Sequence, residues 1–152
     1  MRGIEHLHPA VRQKAERLTA LCREADLPIL ITETWRTREE QDALYAKGRT
    51  AAGSVVTNAP YPNSMHCWGL AFDFCRNVKG KEYDDGDNFF RRVGEIGRGL
   101  GLTWGGDWAT FPDKPHFEDR GVIGQVAEAV KAFGSPEKFL NLKTLNLLEA
   151  VK

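Results

Sequence analysis

The chain has 152 residues, 41% hydrophobic and 28% charged, which suffices for one domain whose core removes roughly two thirds of the unfolded surface from water. Its 21 Lys and Arg balance 21 Asp and Glu, so the formal net charge is zero and long-range attraction to nucleic acid or an anionic membrane is not expected. The longest apolar run, around Pro28-Ile29-Leu30-Ile31, falls far short of the ~20 residues of a transmembrane helix, so no stable membrane insertion is expected.

From Pro9 to Ala25, Val11, Ala15, Leu18, Leu21, Cys22 and Ala25 recur at three- and four-residue intervals, which predicts an amphipathic helix ending near Asp26, before Pro28. Ile29 to Thr34 is a short β-branched run and predicts a buried strand. Thr37-Arg-Glu-Glu40 has the form of a capping box and opens a second helix that runs through Leu44 and Tyr45 and stops at Gly48. Thr50 to Asn63 is rich in Gly, Ala, Pro and Asn without a period, which predicts a long loop bordering a functional site. Gly69 to Cys75 predicts a strand, Asp87 to Leu100 a helix, and Leu102 to Trp104 and Pro115 to Glu118 two short strands.

Ile123 to Lys152 holds two helical patterns divided at Gly134-Ser135-Pro136, where Ser135 can cap and Pro136 can take the first helical position. The apolar stripe Phe139, Leu142, Leu145 and Leu148 is expected to pack on the domain rather than on a membrane. This order predicts an α+β fold, a small antiparallel sheet flanked by helices. We expect a single domain over residues 1–152, with a core over about 4–125 and a C-terminal helical extension over 126–152.

The chemistry gathers around two of the four histidines, His66 and His116, which sit in segments that otherwise read as core. On an extended Leu70 to Cys75 strand, Asp73 shares a face with Ala71 and Cys75 and opposes Phe72. Such an Asp costs several kcal/mol to bury unless it is paired or binds a metal. Two imidazoles and a carboxylate, with a fourth position left for water, are a common catalytic zinc set. Asp113, three residues before His116, is the leading general base, with Asp107 and Glu118 as competitors.

Two other readings stay open: a hydrogen-bonded polar network, and a closed structural zinc site using Cys75 or Cys67. Cys22, Cys67 and Cys75 match no disulfide framework and read as reduced thiols. Trp68, Phe72, Trp104, Trp108 and Phe111 read as core and cleft wall.

These residues also carry a family resemblance. Ser64-x-His66-x-x-Gly69-x-Ala71-x-Asp73, followed by Asp113-x-x-His116, resembles the metal motif of the D-alanyl-D-alanine carboxypeptidase superfamily (VanY-like, M15), whose Hedgehog/DD-peptidase-like fold carries zinc on its sheet. Thr34-Trp-Arg36-Thr-Arg-Glu-Glu-Gln41, Leu44-Tyr45-Ala-Lys-Gly48-Arg49-Thr50, Val56-Thr57-Asn58-Ala59 and Trp104-Gly-Gly-Asp-Trp108 are similar to the L-alanyl-D-glutamate endopeptidase branch of phage endolysins and bacterial cell-wall hydrolases. The resemblance covers about residues 4–125. Dipeptidase branches have Glu before a Trp-His pair where this chain has Asp113-Lys-Pro-His116. Trp35 stands where many relatives have Tyr, and Cys67 where Asn is common.

The resemblance implies one Zn2+ per chain bound by His66, Asp73 and His116, with Asp113 as base on its water. It further implies that Arg36 stabilises the oxyanion and that Gln41 and Ser64 line the substrate site, where Trp108, as cleft wall, is also expected to contact substrate. The implied function is zinc-dependent hydrolysis of the peptidoglycan stem peptide, at the L-Ala-D-Glu bond, by a phage or prophage endolysin. The alternatives are a D-alanyl-D-alanine carboxypeptidase or dipeptidase, and a non-catalytic zinc-containing cell-wall-binding domain. Met1-Arg-Gly-Ile-Glu-His6 has no apolar signal-like run, so the expectation is a monomer made in the host cytoplasm that reaches the wall through a holin lesion.

Overall fold

The computed structural model describes residues 3–142. It divides into two units, one formed by Met1–Trp35 with Leu70–Arg120, the other by Arg36–Gly69 with Gly121–Lys152.

In the first unit, helix α1 (Pro9–Glu24) begins with proline at its first position, and His8 Nδ1 accepts from Ala10 N–H at 3.2 Å. Four residues of the predicted stripe, Val11, Ala15, Leu18 and Cys22, are buried, whereas Leu21 is half-buried and Ala25, at the C-cap, is exposed. Four strands follow in the chain, β1 (Ile29–Glu33), β2 (Ala71–Arg76), β3 (Thr103–Trp104) and β4 (His116–Glu118). They form one antiparallel sheet in the order β1-β2-β4-β3. The expectation of a buried first strand is corrected: β1 lies at the sheet edge, with Ile29 buried and Leu30 47% exposed. An unbroken apolar run does not reveal which strand ends at an edge, because that is set by non-local pairing.

Strand β2 lies inside the sheet, and Ala71, Phe72, Phe74 and Cys75 are all buried. The Phe117 ring lies 5.2 Å from Phe74 and 5.6 Å from Phe72, and the Phe90 ring lies 5.5 Å from Phe74. Phe90 belongs to α3 (Phe89–Gly99), where Gly94 and Gly97 lie so close to the Trp104 and Phe117 rings that a Cβ would collide with them. This helix starts two residues later than predicted because Asp87 and Asn88 adopt φ of 58° and 56°, outside the helical region. Asp85 supplies the start signal instead, its Oδ1 accepting from Phe90 N–H at 3.0 Å.

In the second unit, α2 (Arg38–Ala46) has the capping box read from its sequence: Thr37 Oγ1 accepts from Glu40 N–H at 3.2 Å and Glu40 Oε2 accepts from Thr37 N–H at 2.8 Å. The long loop after it is tied by Arg49, which donates to Tyr45 O at 2.7 Å, Thr57 O at 3.1 Å and Asn58 Oδ1 at 3.0 Å. It leads into a single 3-10 turn, Met65–Trp68, closed by Gly69 at φ 67°, a left-handed position that favours glycine.

Helix α4 (Val126–Phe133) follows, and residues 136–142 are helical, with Ser135 Oγ accepting from Lys138 N–H at 3.3 Å. The Phe139 ring lies 5.6 Å from Trp68 and 5.1 Å from Phe133. Leu145 and Leu148 of the predicted stripe lie outside the described residues. Among the described residues no helix is long and apolar enough to cross a membrane. The architecture is the expected α+β arrangement with a small antiparallel sheet.

Candidate metal centre and active site

Strand pairing explains how two of the polar residues meet. In the β2–β4 ladder Asp73 is the direct partner of His116, so their side chains leave the same face of neighbouring strands. The separation between His116 Nδ1 and Asp73 Oδ1 is 3.0 Å. The same period of two puts Glu118 on that face, and His116 Nε2 lies 2.9 Å from Glu118 Oε2. The second oxygen of Glu118 accepts from Arg120 Nε.

His116 and Glu118 are buried, at 6% and 5% exposure. Burial favours neutral His116, but hydrogen bonds and charge from Asp73 and Glu118 outweigh it and raise the metal-free imidazole to about 9. For Glu118, burial pushes upward, while His116 and Arg120 hold the carboxyl below its ordinary value.

His66 lies on the Met65–Trp68 turn and is 3% exposed, and its carbonyl accepts from Gly69 N–H and Arg36 N–H, both at 3.2 Å. One ligand atom each from His66, Asp73 and His116 lie within 4.8 Å of one another. A tetrahedral zinc with bonds of ~2.0–2.2 Å separates its ligand atoms by ~3.4 Å, so two imidazoles and a carboxylate at this spacing fit the ion in both donor type and reach. Neither Cys67 nor Cys75 belongs to this cluster. All three cysteines are buried thiols outside any disulfide, and burial pushes those of Cys22 and Cys67 up to about 12.

The remaining sequence-derived candidates divide between the two units. In the second, Arg36 is 7% exposed and its Nη1 donates to Gln41 Oε1 at 2.7 Å; Gln41 is fully buried, and its Nε2 donates to Ala59 O at 2.6 Å. The guanidinium is thereby held by an amide that is itself fixed to backbone. Ser64 is buried at the start of the 3-10 turn, its carbonyl accepting from Cys67 N–H at 3.0 Å.

In the first unit, Asp113 is half-buried and its carbonyl accepts from His116 N–H at 3.2 Å, so candidate base and candidate ligand share one turn. The Trp108 ring lies 5.1 Å from that of His116. Asp107, a competitor for the role of base, is exposed and paired with Arg98 at 3.3 Å. Glu118, the other competitor, has both oxygens engaged. Sequence reasoning missed its partnership with His116, although His-x-Glu on a strand is the signal for two side chains on one face.

A family model for M15 peptidases, described as D-alanyl-D-alanine carboxypeptidase, matches residues 57–119. The peptidoglycan L-alanyl-D-glutamate endopeptidase CwlK of Bacillus subtilis (strain 168) is 42% identical over 121 residues, covering 74% of this chain and 72% of that protein. The L-alanyl-D-glutamate peptidase of Listeria phage A118 is 32% identical over 120 residues, covering 76% of this chain and 39% of that protein.

Among solved structures, the Serratia marcescens L-Ala D-Glu endopeptidase ChiX superposes with a TM-score of 0.55 at 21% identity, covering 76% of this chain and 81% of that one. A vancomycin-resistance D,D-pentapeptidase VanY in complex with Zn(II) gives 0.57 at 18% identity, covering 88% and 83%. At these identities the structural matches speak for the fold.

Proposed function

The chain belongs to the M15 peptidase family and is a metallopeptidase of the L-alanyl-D-glutamate endopeptidase type, and from that premise we propose that it is a zinc-dependent endolysin cutting the L-Ala-D-Glu bond of the peptidoglycan stem peptide. The reading rests above all on the His66, Asp73 and His116 cluster, whose donor set and spacing suit one catalytic zinc per chain. Similarity to a Listeria phage peptidase supports the endolysin role, in which a monomer made in the host cytoplasm reaches the wall through a holin lesion.

A zinc ion held there would polarise the scissile carbonyl and acidify the attacking water. Asp113, on the same turn as His116, takes the proton of that water and passes it to the leaving amine. Arg36, fixed by Gln41, offsets the charge that develops on the carbonyl oxygen without having to reorganise. Glu118 holds the far nitrogen of His116, fixing the ring for the metal. Ser64 and Trp108 line the substrate site.

The experiment incubates the zinc-loaded protein with purified peptidoglycan and assigns new amino termini by mass spectrometry. New D-glutamate termini are expected. Released D-alanine would assign a carboxypeptidase, and no cleavage would leave a wall-binding domain.

A further inference from the structure

Two of the four tryptophans show how this fold satisfies a buried indole: Trp68 Nε1 donates to Pro62 O at 2.8 Å and Trp104 Nε1 to Lys114 O at 2.7 Å. Trp108 departs from that pattern, since its Nε1–H is shut away from solvent and meets no acceptor among the described residues. A buried donor without a partner is a standing cost that folded proteins rarely carry without a reason.

Its location supplies one. The Trp108 ring packs on His116, with centroids 5.1 Å apart and planes tilted by 48°. Gly105 O accepts from both Trp108 N–H at 3.3 Å and Asp113 N–H at 2.9 Å, so one carbonyl closes the loop that carries the indole and the proposed base at its two ends. Between them, Ala109 to Pro112 is exposed, and Phe111, 43% exposed, sits at φ 54°, a left-handed conformation costly for a bulky side chain. A rim that is both solvent-facing and strained can shift when a ligand enters, uncovering the indole donor.

We propose that Trp108 Nε1–H is reserved for the substrate, donating to an acceptor oxygen of the stem peptide beside the scissile bond. This deepens the peptidase reading and rests on it. Trp108 is then a binding group whose hydrogen bond exists only in the complex.

The test replaces Trp108 with Phe in the zinc-loaded full chain and measures hydrolysis of a soluble muropeptide containing an L-alanyl-D-glutamyl bond. KM should rise about tenfold with kcat little changed, the value of one hydrogen bond. The thermal midpoint should stay level or rise, because an unsatisfied polar group has been removed. An unchanged KM in an active variant overturns the inference, as does a lowered midpoint with unchanged KM, which would mean that the indole has a partner within the fold.

A second measurement needs no change at Trp108. In zinc-loaded Asp113→Ala protein, adding the same muropeptide should move the Trp108 indole proton downfield, and an unmoved resonance overturns the inference. A wild-type protein that neither cleaves nor binds the muropeptide removes the peptidase reading and this inference together. A wild type that cleaves while Trp108→Phe matches it removes this inference alone.

Discussion

Asp73 and His116 are direct partners across the β2–β4 ladder, and their nearest side-chain atoms, Oδ1 and Nδ1, are 3.0 Å apart. A carboxylate and an imidazole are thus brought to ligand spacing by sheet register, the best-determined feature of a paired strand, rather than by a flexible loop. On the other side of the imidazole, Glu118 engages Nε2, and Arg120 engages Glu118.

The Glu118 contact leads to the first prediction. Removing the group that orients a metal-bound histidine typically weakens metal affinity about 10- to 100-fold. Glu118→Ala should therefore lose zinc affinity by that factor in a chelator competition, while Glu118→Gln, which keeps an acceptor oxygen, should recover part of it. Equal affinities for Glu118→Ala and wild type would remove the orienting role.

Much of this centre was legible in the sequence, and what was not has physical causes. The Thr37–Glu40 capping box and the α1 stripe are local signals: the box stands in the structure as read, and the stripe does at Val11, Ala15, Leu18 and Cys22 but not at exposed Ala25. The meeting of Asp73 with His116 is non-local: neither segment encodes its register with the other, and the pairing came from family resemblance. The edge position of β1 was hidden for the same reason. The delayed start of α3 turns on left-handed Asp87 and Asn88, residue types that tolerate that conformation yet give no sign of when they adopt it. Gln41 was expected among the residues lining the site, and only the fold reveals that it is fully buried and holds Arg36.

For Asp113 the expected signature is a separation of metal binding from catalysis. A general base contributes about 10²- to 10⁴-fold. Asp113→Ala should fall by that amount in kcat while retaining wild-type zinc content by elemental analysis; loss of zinc would recast Asp113 as part of the metal's own shell.

Arg36 should behave as a fixed cation. Arg36→Ala is expected to lower kcat about 100-fold, as for loss of one oxyanion donor, with zinc content intact. Arg36→Lys should rescue little, because an ammonium lacks the planar fork that Gln41 anchors at 2.7 Å. Full rescue by Lys would show that charge alone matters.

The buried thiol of Cys22 makes a prediction about pH. Burial raises it from 9.0 to about 12, so above pH ~9 the unfolded chain releases a proton that the folded chain keeps. Its contribution to stability is whole below pH ~9 and is lost as pH rises toward 12. In denaturant titrations the stability gap between wild type and Cys22→Ala should narrow over that range. A gap independent of pH would contradict a raised thiol.

The central claim is that His66, Asp73 and His116 hold one catalytic zinc, and anomalous diffraction at the zinc edge from crystals of the metal-loaded protein tests it most directly. The account predicts a single peak within ~2.0–2.2 Å of a nitrogen of His66, an oxygen of Asp73 and a nitrogen of His116. A peak ligated by Cys67 or Cys75, or no peak at the three residues in fully loaded protein, would contradict it.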